Sequence, residues 1–425
     1  MQKKEQVEAM KRNRPAGIKN GTGFMKQVFK IKRGHHRASH RIFWKGERLY
    51  FRGDDYFRDL LTAIGRARRT LDFETYIFEP GRLGDRLALA LGRAARRGVK
   101  ARLLVDGVGS PDFAAHYGPG LVRDGVTFRV YRSWPVIFSA ARNFWRLGSV
   151  LRKAHSLLGG GNRRDHRKLC LIDDRQVWMG SLNVSDWHLK RLKGGLVWRD
   201  TGLKLEGVRS GVFRAAFQLA WEDRWPRSWN PLRRHRLKQW IAHEVTGGPI
   251  RLTLTRRLRV LFRRELSRRF ESARRRIWIL TPYFTPTQSL LRGLVRAARR
   301  GCDVRLVLPG PSDVPMARWI ALAFYPKLLK AGCRIAEYQG SMLHAKTMMV
   351  DDWVLVGSGN LNQRSLRRDL EVNVVLQKET SKRAVTRQFI RDILKSREVT
   401  LAVFRQGPFL IRWLSWFFFR FRFWF

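Results

Sequence analysis

The sequence predicts an α/β protein built as an internal duplication: two pseudo-twofold-related halves, each a mostly mixed β-sheet flanked by helices, with a shared cleft between them. Three observations carry this. At 425 residues, 44% of them hydrophobic, the chain is long enough for two domain-sized cores. Strand-like and helix-like patterns alternate along it. One phrase also returns in the second half of the chain: Ala94-Ala95-Arg96-Arg97-Gly98 followed by Arg102-Leu103-Leu104-Val105, then Ala297-Ala298-Arg299-Arg300-Gly301 followed by Arg305-Leu306-Val307-Leu308. Each copy follows a helix pattern and an aromatic strand end, Tyr76-Ile77-Phe78 in one and Tyr283-Phe284 in the other.

Residues 1–40 hold eleven Lys/Arg against Glu5 and Glu8, with little periodicity, and predict a mobile basic arm. The folded body is expected from Arg41. Asp54 or Asp55 is placed to cap a helix carrying Phe57, Leu60, Leu61, Ile64 and Ala67 at helical spacing. A strand fits Leu71 to Phe78, a helix fits 84–96 with Leu87, Leu91 and Ala95 on one face, and a short apolar strand runs from Ala101 to Asp106. The first half is bounded at 41–245 and the second at 246–378. Residues 379–425 are left for a C-terminal helix and an aromatic, arginine-rich tail.

The composition constrains partners. Lys+Arg number 86 against 34 Asp+Glu, a formal net charge of +52. Self-repulsion on that scale points to a polyanion or an anionic surface as the working partner, and both nucleic acid and acidic lipid qualify. Cys170, Cys302 and Cys333 are sparse and lack metal-ligand spacing, which argues against a disulfide framework or a zinc site and for a reducing, cytoplasm-facing environment. Lys3, Lys4, Lys11, Arg12 and Arg14 precede no apolar stretch of signal-peptide or spanning length, so no N-terminal membrane anchor is expected.

Two motifs carry chemistry. The first is His166-Arg167-Lys168-Leu169-Cys170-Leu171-Ile172-Asp173 with Gly180-Ser181-Leu182-Asn183 after it. The second is His344-Ala345-Lys346-Thr347-Met348-Met349-Val350-Asp351 with Gly357-Ser358-Gly359-Asn360. Histidine and lysine two apart on a strand share a face, so both can reach one phosphate. Ser181, Asn183, Ser358 and Asn360 offer hydroxyls and amides to phosphoryl oxygens from a tight turn. Five residues separate Asp351 from Gly357 where six separate Asp173 from Gly180, a shortening that bears on the register of Ser358 and Asn360.

His-x-Lys-x4-Asp followed by Gly-Ser-x-Asn, twice and in order, resembles the phospholipase D superfamily. The likeness to its short, peripheral bacterial cardiolipin synthases spans most of 41–378. It includes Glu74-Thr75-Tyr76-Ile77-Phe78, Asp106-x-x-Gly109-Ser110, Glu337-Tyr338, Trp198-Arg199-Asp200-Thr201 and the segment ending in Leu370-Glu371. The resemblance implies a phosphatidyltransferase in which His166 attacks phosphorus and His344 is acid and base, while the pseudo-symmetry leaves the reverse assignment open. It also implies that Asp200 and Glu371 orient the histidines. Lys168 and Lys346 would neutralise the phosphoryl oxygens, so no metal or other cofactor is expected. Asp173 and Asp351 complete the catalytic motif in sequence, and are better suited to supporting strand ends as buried carboxylates than to touching substrate.

Residues 408–425 hold ten aromatics with Arg412, Arg420 and Arg422, a composition suited to the headgroup zone of a bilayer, with packing of the segment onto the body as the other expectation. Residues 132–168 add Trp134, Phe138, Phe144 and Trp145 among nine Lys/Arg, a lid or interfacial loop beside the first motif. The expected partner is an anionic phospholipid surface on the cytoplasmic face of the bacterial inner membrane, with nonspecific nucleic-acid binding from charge alone and no obligate protein partner. A phospholipase D hydrolase and a nuclease or phosphodiesterase of the same superfamily are the rival activities. A non-enzymatic basic scaffold fits two intact motifs poorly.

Overall fold

The computed structural model describes residues 43–132, 163–208, 210–223, 231–406 and 409–423. The arm expected at 1–40, and Trp134, Phe138, Phe144 and Trp145 of the basic-aromatic stretch, lie outside the described residues.

Seven strands form the first sheet: β1 (Gly46–Tyr50), β2 (Thr70–Thr75), β3 (Lys100–Asp106), β4 (Thr127–Tyr131), β5 (Leu169–Ile172), β6 (Gln176–Gly180) and β7 (Gly202–Glu206), in the order β1-β7-β6-β5-β2-β3-β4. The second has β8 (Ile250–Leu252), β9 (Arg276–Leu280), β10 (Asp303–Pro309), β11 (Arg334–Tyr338), β12 (Thr347–Val350), β13 (Trp353–Gly357), β14 (Val372–Val375) and β15 (Ser396–Val399). Its order, β8-β14-β13-β12-β9-β10-β11-β15, repeats the first and adds β15 at one edge. In both sheets three adjacent strands are parallel, β2-β3-β4 and β9-β10-β11, and the others antiparallel, so each sheet is mixed as expected.

The parallel strands need crossover helices, and the duplicated phrase supplies them. Helix Arg82–Arg96 joins β2 to β3 and buries Leu83, Leu87, Leu91 and Ala94; helix Gln288–Arg299 joins β9 to β10 and buries Leu290, Leu291, Leu294 and Ala297. Gly98 and Gly301 follow the helix ends at φ 90° and 85°, the left-handed position that stops a helix and that glycine adopts without a side-chain clash. Helix Gly53–Gly65 departs from expectation at its start. Arg52 is its N-cap without a side-chain bond, and Asp54 instead accepts the Lys190 N–H at 2.8 Å.

Alternation along the strands then sorts the side chains into three apolar layers. Leu169 and Leu171 of β5, Val177 and Met179 of β6 and Met349 of β12 enter a central core that draws on both sheets. Cys170, Ile172 and Trp178 face outward under helices Gly53–Gly65 and Arg82–Arg96. Met348 and Val350 face outward under helices Arg256–Ser272 and Gln288–Arg299.

The second half runs past the expected boundary at 378. Helix Glu379–Leu394 stacks Phe389 on Trp278 with ring centroids 4.9 Å apart, and β15 pairs antiparallel with β11. Beyond it, helix Phe409–Phe418 meets helix Pro315–Leu322, where Phe418 stacks on Trp319 at 5.1 Å and Phe419 sits edge-on to Phe324 at 5.3 Å. Trp413, Trp416, Phe417 and Phe423 remain exposed. One side of the tail therefore packs on the body, and another presents aromatics to solvent. Among the described residues no helix is long and apolar enough to cross a membrane.

Candidate active site

Each His-x-Lys segment runs just ahead of its strand, since β5 begins at Leu169 and β12 at Thr347. Both are pinned by the opposite half. The His166 N–H donates to Leu370 O at 3.0 Å, and the His344 N–H to Arg199 O at 2.9 Å. Leu370 and Arg199 immediately precede Glu371 and Asp200, so each backbone bond delivers an acid to the histidine across the interface. Glu371 Oε1 and Oε2 lie 3.0 and 3.1 Å from His166 Nδ1, and Asp200 Oδ1 lies 2.8 Å from His344 Nδ1. Nδ1 is thereby occupied in both rings and Nε2 is left for chemistry.

The motif glycines make this approach possible. A Cβ on Gly180 would come within 2.3 Å of Thr201 O, and one on Gly357 within 2.3 Å of Val372 O, the carbonyls just after the two acids. The shorter second hairpin loses its residue at the turn tip, so register is kept: Leu169 faces Met179 and Thr347 faces Val356, and Ser181 and Ser358 donate their N–H groups to Thr201 O and Val372 O, both at 3.0 Å.

Ser181 and Ser358 were expected to meet phosphoryl oxygens, and here the structure corrects the sequence. Both are fully buried. Ser181 Oγ donates to Thr201 O (3.2 Å) and accepts the Thr201 N–H (2.9 Å); Ser358 Oγ donates to Glu371 Oε2 (2.5 Å) and accepts the Val372 N–H (3.1 Å). Ser358 holds Glu371 directly, and Ser181 holds the backbone of Thr201, the residue after Asp200. Asn183 and Asn360 do line the cavity.

Asp173 and Asp351 are the second correction. They are neither buried nor near the histidines but half-exposed in left-handed turn conformations, φ 51° and 50°, at the far ends of β5 and β12. Asp173 accepts the N–H groups of Arg68, Arg69 and Thr70 at 2.7 to 3.0 Å, and Asp351 those of Arg274, Arg275 and Arg276 at 2.9 to 3.1 Å. Each clamps the start of the neighbouring strand, and the donors outweigh burial in holding both carboxyls below their ordinary range.

His166 and His344 line one cavity of about 290 Å³ with Tyr76, Asn183 and Trp198 from the first half and Tyr283, Asp313, Asn360, Asn362, Arg364 and Asp369 from the second. Tyr76 lies 5.0 Å from the His166 ring and Trp198 5.3 Å from that of His344. Lys168 and Lys346 are buried beneath, each donating to the carbonyl of its own motif histidine at 2.7 and 2.6 Å.

Burial sets the charge states. It pushes Lys168 down to about 8 and Lys346 well below the ordinary lysine value. Burial and the two lysines hold His166 far below a normal imidazole, and burial with Lys346 takes His344 down to about 3. Glu371 is raised by burial to about 7. Asp200 goes the other way, because His344 and His188 outweigh its burial and keep it ionised. Burial thus disfavours the charged forms of both imidazoles and both lysines in the free site, and a bound anion would favour them.

His188 went unnoticed in the sequence, as did Tyr283, Asp313, Arg364 and Asp369 as cavity groups. His188 lies outside any motif, five residues beyond Asn183, and its only signal is that Ser365 stands five beyond Asn360.

A duplicated α/β body with two histidine–acid pairs exchanged across one cavity defines an enzyme of the phospholipase D type. The chain belongs to the family described as "Cardiolipin synthase, PLD-like domain", which matches residues 60–198 and 266–393. It is 32% identical over 330 residues to cardiolipin synthase B of Escherichia coli, covering 76% of this chain and 74% of that protein. A cardiolipin synthase of Clostridium perfringens is 27% identical over 369 residues, covering 86% of this chain and 74% of that protein. The fold is shared with phosphatidylserine synthase of Haemophilus influenzae, at a TM-score of 0.63 and 13% identity over 88% of this chain and 93% of that one.

Proposed function

We propose that this chain is a phosphatidyltransferase of the cardiolipin synthase type, moving a phosphatidyl group from one phospholipid to phosphatidylglycerol at an anionic membrane surface, on the cytoplasmic face of the bacterial inner membrane. The observation that carries the reading is the crossed pairing of His166 with Glu371 and His344 with Asp200 around one cavity.

A phosphodiester repels nucleophiles and has a poor leaving group, so the site must neutralise charge and deliver a proton. The diester anion enters over Lys168 and Lys346 and draws protons into the cavity. His166 Nε2 attacks phosphorus, the P–O bond to glycerol breaks, and the proton on His344 Nε2 passes to the departing oxygen. Phosphatidylglycerol then enters. His344 takes its hydroxyl proton, the oxygen attacks phosphorus, and the P–N bond to His166 breaks, releasing cardiolipin. Glu371 and Asp200 hold each ring with Nε2 toward phosphorus. A cavity of about 290 Å³ suits a diester headgroup whose acyl chains stay in the bilayer, and the exposed Trp413, Trp416, Phe417 and Phe423 beside Arg420 and Arg422 suit its interfacial zone.

The test is product analysis after incubating the purified chain with labelled phosphatidylglycerol. Cardiolipin plus free glycerol supports transfer, phosphatidic acid alone indicates a hydrolase, and turnover of nucleic acid but not lipid overturns the reading.

A further inference from the structure

Asp200 is bracketed by two imidazoles. Besides His344, its other carboxylate oxygen, Oδ2, lies in close polar contact, 2.9 Å from Nδ1 of His188, a fully buried ring, without the alignment of a hydrogen bond. The far side of that ring is also occupied: the Asn183 N–H points at His188 Nε2 at 3.2 Å. A nitrogen facing an N–H is the acceptor, which places the ring proton on Nδ1, toward Asp200. His188 therefore joins the acid behind one reacting histidine to the backbone of Asn183, whose side chain lines the same cavity.

The duplication shows what this bridge is for. In the second half the Asn360 N–H donates to Ser365 Oγ at 3.3 Å, and that hydroxyl donates to Glu371 Oε1 at 2.7 Å. Offset and partners correspond to those of His188, so both halves connect the Gly-Ser-x-Asn turn to the acid through one side chain. The halves differ in what does it. Glu371 is satisfied by two hydroxyls that rotate, Ser358 and Ser365, while Asp200 faces the rigid ring of His188. Trp198 closes edge-on against His188 at 5.5 Å, and Phe57 lies at 6.4 Å on another side.

We infer that His188 is a positioning residue that holds the Asp200 carboxylate against His344. The inference rests on the transfer reading above and deepens it by naming what supports the acid behind one reacting histidine. The other charged or titratable groups around Asp200 are Lys346, Lys168, Tyr283 and Arg199, whose guanidinium bonds the Asp200 carbonyl.

Three full-length variants test it. His188→Leu removes the Asn183 bond and the polar contact with Asp200, His188→Gln can offer an acceptor near the Nε2 position, and His188→Asn can offer an N–H where Nδ1 stood. Turnover of short-chain phosphatidylglycerol in detergent should fall about 100-fold in kcat for His188→Leu with KM nearly unchanged, and the acid limb of the pH profile should move up by about one unit as Asp200 loses the polar neighbour at its Oδ2. His188→Asn should recover most of kcat and return the limb, and His188→Gln should recover less. Nitrogen-15 histidine spectra read the His344 tautomer without turnover, and its Nδ1–H resonance should persist in His188→Asn and weaken in His188→Leu. If the folded Leu and Asn variants share one pH profile and one His344 spectrum with the unaltered chain, His188 merely fills the core and the inference is overturned. Inactivity of the unaltered chain on phospholipid, with the His344 spectrum changing as expected, would instead reject the transfer reading and keep the positioning role.

Discussion

His166 takes its Nδ1 partner from the other half of the molecule: Glu371, 205 residues further along the chain, lies 3.0 Å away. Asp200 answers with His344 at 2.8 Å in the opposite direction. Neither motif histidine therefore takes its acid from its own half. Glu371→Gln and Asp200→Asn should each lower kcat by about two orders of magnitude with little change in KM, because the ring loses its fixed tautomer while the diester contacts remain. Steady-state kinetics on a detergent-dispersed phospholipid, with thermal unfolding as control, checks this. A mainly raised KM would place the acids at substrate instead.

The two motif serines should separate experimentally. Ser358 supports Glu371 directly, whereas Ser181 bonds only the backbone of Thr201. Ser358→Ala is expected to lower kcat about tenfold, and Ser181→Ala to cost mainly stability, about 1 to 2 kcal/mol for a buried hydroxyl whose partners are left unpaired. Equal rises in KM for both would restore the serines to the phosphoryl oxygens.

The buried lysines make anion binding proton-linked. Lys168, down to about 8 in the free site, is raised when an anion sits beside it, so the bound state holds more protons above that pH. Affinity for inorganic phosphate or tungstate should be highest below pH 8 and weaken above it, by up to about tenfold per unit for each proton taken up. Calorimetry in two buffers of different ionisation enthalpy reads the uptake directly. The same shift makes stability rise with pH between about 8 and the ordinary 10.5, where the unfolded chain binds the extra proton.

Residues 408–425 include rings that pack on the body and exposed aromatics proposed to meet the membrane, and truncation alone confounds the two. Deleting them should release much of the protein from anionic vesicles and also lower the unfolding temperature by a few degrees, since Phe418 and Phe419 pack on Trp319 and Phe324. Replacing only the exposed Trp413 and Trp416 by serine should weaken vesicle binding without the thermal shift. Unaltered binding in that double variant would leave the segment as packing alone.

Much of this was legible because the duplication is written twice. The Ala-Ala-Arg-Arg-Gly phrase marks a helix end and its stopping glycine, and the motif histidines and asparagines line one cavity with the lysines and the two histidine-bound acids buried behind them. The crossing of the acids was not legible, because nothing local distinguishes a carboxylate that serves its own half from one that serves the other. Ser181 and Ser358 misled because a hydroxyl in a turn can face either way, and the close approach of Thr201 and Val372 turned both inward. Asp173 and Asp351 support strand ends as their place in the motif suggested, and only their exposure differs, because each sits in the turn at the far end of its strand. β15 was missed because Ser396-Arg397-Glu398-Val399 has too little apolar pattern to signal an edge strand.

The most direct measurement uses bis(p-nitrophenyl) phosphate, whose leaving group needs no proton. With His344→Ala, attack by His166 should proceed and stall, leaving acid-labile phosphorus on His166 detectable by mass spectrometry of alkaline-handled peptides. His166→Ala should carry none. Phosphorus on His344 in the His166→Ala chain, or on no histidine in either variant while the unaltered chain turns over, would contradict a phosphohistidine formed on the first half and released by the second.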